Sequence, residues 1–110
     1  MDKKASLAAL SALGHETRLD VFRLLVKAGG DGLLAGEIAA RLDVVQNTLS
    51  THLAILDRSG LVRHRREGRA IRYHAAMDGM RALLSFLMED CCGGVPERCQ
   101  PALDELTCAC

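Results

Sequence analysis

AGEIAARLDVVQNTLSTHLAILDRSGLVRHRREGRAIRYHA, residues 35–75, is the stretch on which the fold turns. Its opening, residues 35–42, sets Ile38 and Leu42 four positions apart, the spacing of one face of a two-turn helix. Asp43, Val44 and Val45 make a turn, and residues 46–59 read as a second helix whose Leu49, Leu53 and Leu56 fall at i, i+4 and i+7. The opposite face of that helix carries Gln46, Asn47, Ser50 and Thr51, side chains suited to hydrogen-bonding base edges. Val45, where the second helix begins, is a weak N-cap. Two short helices joined by a tight turn can be a helix-turn-helix or an ordinary helical hairpin with a solvated face.

The residues beyond the second helix separate these two possibilities. Ser59-Gly60 ends the helix, LVRHRR (61–66) reads as a strand, and Glu67-Gly68 as a tight turn. RAIRYHA (69–75) then returns as a second strand with Ile71, Tyr73 and Ala75 on one face. A hairpin in this position is a wing, and its Arg65, Arg66 and Arg69 suit phosphates or a minor groove better than an interior. The expected fold class is mainly α with a β-hairpin wing: an α+β winged helix-turn-helix.

Upstream, residues 5–13 read as a short helix closed by Gly14, and residues 15–29 as a second helix stopped by Gly29-Gly30. Leu19, Phe22, Leu25 and Val26 form its expected core face. Downstream, residues 77–90 form a last helix with Met77, Met80, Leu83, Leu84, Leu87 and Met88 on a broad apolar stripe. A domain this small cannot easily cover such a stripe. The same helix of a second subunit would, and the two-fold symmetry of that homodimer would match a palindromic operator in DNA. Packing of part of the stripe inside the monomer is the alternative.

A chain of 110 residues suffices for one such domain, expected over residues 1–90 and followed by a tail over 91–110. With aromatic residues at only 3%, the core must be aliphatic, which favours helices. The net charge of zero conceals an asymmetry. Residues 46–74 hold six arginines against Asp57 and Glu67, a net +4, whereas residues 75–110 hold two arginines against six carboxylates, a net −4. One part suits a polyanion and the other repels it. No stretch approaches the roughly 18 to 20 apolar residues of a membrane span, and the N-terminus lacks a secretory cleavage pattern. A cytoplasmic location without a membrane partner is expected, where thiols stay reduced.

At this point the sequence resembles the ArsR/SmtB family of metal- and metalloid-responsive winged-helix repressors. The residues that carry the resemblance are LSALGHETRLDVFRLL (10–25), GEIAARL (36–42) and NTLSTHLAILDRSGLVRHRREGRAIRYH (47–74), with Ser50-x-His52-Leu53 the most specific piece. The resemblance implies a homodimer that binds operator DNA when ligand-free and leaves it when an inducer binds. Carried over, Gln46, Asn47, Ser50 and Thr51 would face the major groove and the wing arginines the flanking backbone. His52 looks like the family's histidine in this helix, as a packed or phosphate-contacting side chain. Two familiar features are missing. The helix at 35–42 has no Cys-x-Cys pair, and the last helix has Asp78 but no histidine.

All five cysteines lie in the last twenty residues, at Cys91, Cys92, Cys99, Cys108 and Cys110. Adjacent Cys91 and Cys92 have Cα atoms about 3.8 Å apart, below the roughly 4.4 to 6.8 Å of a disulfide. They can nonetheless converge on one large soft ion, with Cys99 returning across Gly93, Gly94 and Pro96 as a third ligand. Three thiolates without a histidine suit trivalent arsenic, As(III), or antimony, Sb(III), whereas zinc normally takes a fourth ligand. The pattern also resembles a subgroup of arsenite-responsive repressors.

Glu89, Asp90 and the helix C-terminus disfavour thiolates, which counts against a redox or persulfide switch. The same carboxylates would welcome Cd(II), so a Cd(II)/Zn(II) response remains a rival. Cys108 and Cys110 are additional thiols, either incidental or a hand-off site. An enzyme acting on a small organic substrate is not expected, because no Gly-rich or acid-pair motif accompanies the cysteines. A thiol-rich metal carrier is the other rival, and the Arg-rich hairpin argues against it.

Overall fold

Asp2 sets the start of the chain's first helix by accepting the Ala5 N–H on its Oδ1 at 2.7 Å. The computed structural model describes residues 1–89 and, beyond them, Pro101, Asp104 and Glu105. Cys91, Cys92, Cys99, Cys108 and Cys110 therefore lie outside the described residues, as does most of the expected tail. The capped helix, α1 (Lys3–Leu13), begins ahead of the expected residue 5 because Asp2 supplies the cap. It packs through small side chains, Ser6, Ala9 and Ala12.

Helix α2 (Glu16–Ala28) begins after His15, whose Nδ1 accepts the Thr17 N–H at 3.1 Å. Its buried face is Val21, Phe22 and Leu25. Leu19 and Val26, expected in the core, are each 42% exposed. The elements that cover α2, namely α1, the next two helices and the sheet, leave these two at the edge.

After a 3-10 turn at Gly29–Asp31, strand β1 (Leu33–Leu34) leads into α3 (Ala35–Leu42). The Leu34 N–H donates to Glu37 Oε1 at 2.9 Å, half of a capping box. Asp43 makes the sharp turn with φ 53°, a left-handed conformation that Asp tolerates. Helix α4 (Gln46–Arg58) then starts at Val45, which makes no side-chain cap, as the sequence suggested. Leu49, Leu53 and Leu56 are all buried, joining Ile38, Leu25 and Val21 in one aliphatic core.

Strands β2 (Val62–Glu67) and β3 (Ala70–Ala75) form the hairpin. Glu67 faces Ala70 across the ladder, so the loop residues are Gly68-Arg69, one position later than expected. Gly68 has φ 63°, the conformation a two-residue hairpin loop with Gly at its first central position requires. That shift puts Arg69 at the tip. A third strand was not legible: β1 pairs antiparallel with β3, Leu33 opposite Tyr73 and Leu34 opposite Arg72, giving the order β1-β3-β2. Two residues show no alternation. What permits the pairing is Gly32, where a Cβ would overlap the Tyr73 carbonyl oxygen.

Helix α5 (Met77–Leu87) ends the described domain and buries only Leu83. Among the described residues no helix is long and apolar enough to cross a membrane. The N-terminal turn of α5 presses on the end of α4, because a Cβ on Gly79 would overlap the Gly60 carbonyl oxygen.

The two glycines Gly79 and Gly36 should behave oppositely. Gly79→Ala is expected to destabilise the fold by about 1 to 3 kcal/mol, the usual cost of overpacking against backbone. Gly36→Ala lies inside α3 with only Gln46 Nε2 nearby, at 3.6 Å. It should be neutral or stabilising by up to about 1 kcal/mol, as a helical Gly→Ala change is. Denaturant unfolding of both variants reads this out, and equal losses would contradict the Gly79 contact.

Candidate nucleic-acid interface

A helix advances about 100° per residue, so burying Leu49, Leu53 and Leu56 decides where every other α4 side chain points. Asn47 and Thr51 fall at the centre of the exposed side. Gln46 and Ser50 fall on one flank, and His52 falls about 200° round from Ser50 on the other. Gln46, Asn47, Ser50 and Thr51 are all exposed, together with Thr48, which sequence reasoning passed over. The Thr51 hydroxyl donates back to the Asn47 carbonyl at 3.4 Å. The four expected polar residues therefore share an open surface near the N-terminus of α4.

The hairpin stands on the Gln46 flank. A concave surface of about 520 Å³ lies between the starts of α3 and α4 and the hairpin tip, lined in part by Gly36, Glu37, Gln46 and Arg69. Helix and wing thus border one cleft, with Glu37 on one wall.

The arginines are not equivalent. Glu67 Oε2 accepts from Arg65 Nη2 at 2.8 Å and from Arg72 Nε at 2.9 Å. These hydrogen bonds, Arg72's first and then Arg65's, hold the Glu67 carboxyl below its ordinary pKa. Arg72 also donates to the Asp31 carbonyl at 3.1 Å, and the Glu67 bond pushes its own pKa up. Arg63 pairs with Asp78 of α5 at 3.0 Å. Among the described residues Arg66 and Arg69 are exposed and carry no ion pair. On the wing, the positive charge available to a polyanion is therefore concentrated at Arg66 and the tip residue Arg69, with Arg65 partly neutralised.

His52 departs from the exposed row. It is half-buried, its Nδ1 lies 3.3 Å from Arg18 Nη1, and its ring centroid is 4.6 Å from that of His15. The structure brings it to the junction of α1 and α2, not to the surface formed by Gln46 and Ser50. Arg18 and His15 were missed at the sequence level, since a contact across 34 positions leaves no local signal.

Sequence and structure comparisons place these features among known proteins. A helix-turn-helix domain family matches residues 13–65. The chain is 34% identical to the transcriptional activator HlyU of Vibrio cholerae over 79% of its own length and 80% of that protein's. It is 35% identical to a putative arsenical resistance operon repressor, ArsR, of Halobacterium salinarum, over 76% of its length and 64% of that protein's. A solution NMR structure of the homodimeric winged helix-turn-helix DNA-binding domain of a possible ArsR-family transcriptional regulator from Mycobacterium bovis superposes with a TM-score of 0.60. That likeness comes at 31% identity over 82% of this chain and 88% of that one.

The role of Glu67 as a brake on the wing can be read on a heparin column. Glu67→Gln should elute at higher salt, the equivalent of about one more phosphate contact, because Arg65 and Arg72 lose their shared partner. Unchanged elution would mean that Glu67 does not restrain them.

Proposed function

Since the chain belongs to the ArsR family of winged-helix transcriptional regulators, we propose that it is a repressor that binds operator DNA as a homodimer and is released by trivalent arsenic or antimony. The observation that carries the DNA-binding part is the joint exposure of Gln46, Asn47, Ser50 and Thr51 beside the unpaired Arg66 and Arg69. In this reading α4 lies in the major groove and the wing arginines hold the flanking backbone.

The homodimer reading draws on the apolar surface that the described residues leave open. Leu87 of α5 is 50% exposed and Leu7 of α1 57%, and the two helices pack side by side. Leu10, Leu84 and Met88 extend the same kind of surface. The Mycobacterium bovis relative is homodimeric. Leu87→Glu should yield monomers with little affinity for a palindromic duplex, as measured by sedimentation and by mobility shift. A dimeric, DNA-competent variant would move the interface elsewhere.

The inducer reading rests on the thiols. Cys91, Cys92 and Cys99 follow α5 in the sequence, in a spacing that allows three sulfurs on one ion, without a histidine to complete a zinc site. The likeness to a putative arsenical resistance operon repressor supports the same inducer class. The ion would act by binding the DNA-weak conformation more tightly, typically by about 1 to 3 kcal/mol, or roughly 5- to 150-fold in affinity.

Arsenite, antimonite, Cd(II) and Zn(II) titrated against the DNA-bound protein test this directly. Arsenite should release the DNA, and Cys91→Ser, Cys92→Ser or Cys99→Ser should each abolish release while leaving DNA binding intact. The Cys108→Ser/Cys110→Ser pair should remain inducible. Release by Cd(II) alone, or a dispensable Cys99 with an essential tail pair, would replace this inducer and this site.

A further inference from the structure

Helix α4 is held to the domain mainly by smooth aliphatic side chains, and its N-terminus lacks a side-chain cap. Such a seat resists separation but offers little to fix rotation about the helix axis. Asp57 pairs with His64 of β2 at the C-terminal end of the helix, and one polar contact holds its middle. Arg18 Nε donates to the Ala12 carbonyl at 2.6 Å, one of the last-turn carbonyls of α1 that no helical N–H satisfies. The same guanidinium reaches His52 through Nη1 at 3.3 Å. We propose that Arg18 and His52 are a positioning pair, a two-ended clamp between the end of α1 and the middle of α4 that fixes the rotation of the DNA-reading helix.

The chemistry of the clamp defines the state of His52. A guanidinium only donates, so His52 Nδ1 must accept and the ring proton must sit on Nε2. Protonation would turn Nδ1 into a donor facing a donor and place a cation beside another cation. The groups that face the imidazole are His15 at the start of α2 and Arg18 within it, and no carboxylate acts on it among the described residues. Burial first, then His15 and Arg18, lower its pKa from the ordinary 6.5. The clamp is therefore complete above that value and is lost as the pH falls through the lowered pKa.

This role and a phosphate contact predict opposite signs. A phosphate contact would strengthen as His52 gains charge in acid. A positioning residue would fail. His52→Asn separates them, because the Asn Oδ1 can accept from Arg18 near the place of Nδ1 and does not titrate.

The probe is a labelled duplex selected by the wild-type chain from a random pool, with affinity followed from about pH 8 to about pH 5. Relative to His52→Asn, the wild type should lose affinity progressively below pH 6.5. A relative gain would overturn the inference. Imidazole ¹⁵N spectra of the free protein supply a second reading. The proton should be on Nε2, and Arg18→Ala should raise the His52 midpoint. A proton on Nδ1, or an unmoved midpoint, would contradict the clamp. The inference rests on α4 being the DNA-reading helix, but the spectra need no DNA. Failure of that assignment would appear as a variant-independent affinity with the spectra as expected.

Discussion

The burial of Leu49, Leu53 and Leu56 is the constraint on which the rest of the molecule depends. Each buried leucine contributes about 1.5 to 3 kcal/mol, so this one row anchors α4 more firmly than any polar contact in the domain. Its geometry dictates that Asn47 and Thr51 face outward with Gln46 and Ser50 beside them. It also fixes the root of the wing, since Leu61 and Val62 are buried directly after the helix ends. Asp57 at the end of α4 is paired with His64 of β2, and Arg63 of the same strand with Asp78 of α5. The reading helix and the hairpin are consequently parts of one body.

The same packing offers a route by which the far end of the chain could influence α4. Helix α5 touches the end of α4 backbone to backbone, at Gly79 and Gly60. Asp78 reaches from α5 to the wing through Arg63 and is itself held by Arg81 at 2.9 Å. A shift of α5 cannot be absorbed by side-chain adjustment at such a contact. An inducer held just after α5 therefore has a mechanical means of biasing the wing and the reading helix together, which is the physical content of the proposed release.

Much of this was legible in the sequence because it is periodic. The leucine row of α4, the turn at Asp43 and the basic hairpin are all consequences of local spacing, and all are present in the structure. The differences have tertiary causes. Leu19 and Val26 match the helical period of α2 but lie beyond the reach of the elements that cover it. Strand β1 has only two residues and exists because Gly32 lets the chain approach β3. The turn moved to Gly68-Arg69 because the glycine must occupy the first loop position. Within the site, Asn47 and Thr51 are given by the face opposite the leucines, and Gln46 and Ser50 by its flank. The seat of His52 against Arg18 depends on a contact across 34 positions that no short window of sequence contains.

The central claim is that α4 reads base edges while the wing grips backbone. The salt dependence of affinity for a selected duplex and for random DNA, measured on the wild type, Ser50→Ala and Arg69→Ala, tests it most directly. Ser50→Ala should weaken only the selected duplex, by about 1 to 3 kcal/mol, with an unchanged salt slope. Arg69→Ala should weaken both duplexes alike and reduce the slope by about one. Equal losses of Ser50→Ala on selected and random DNA, or an Arg69→Ala effect confined to the selected duplex, would contradict the account.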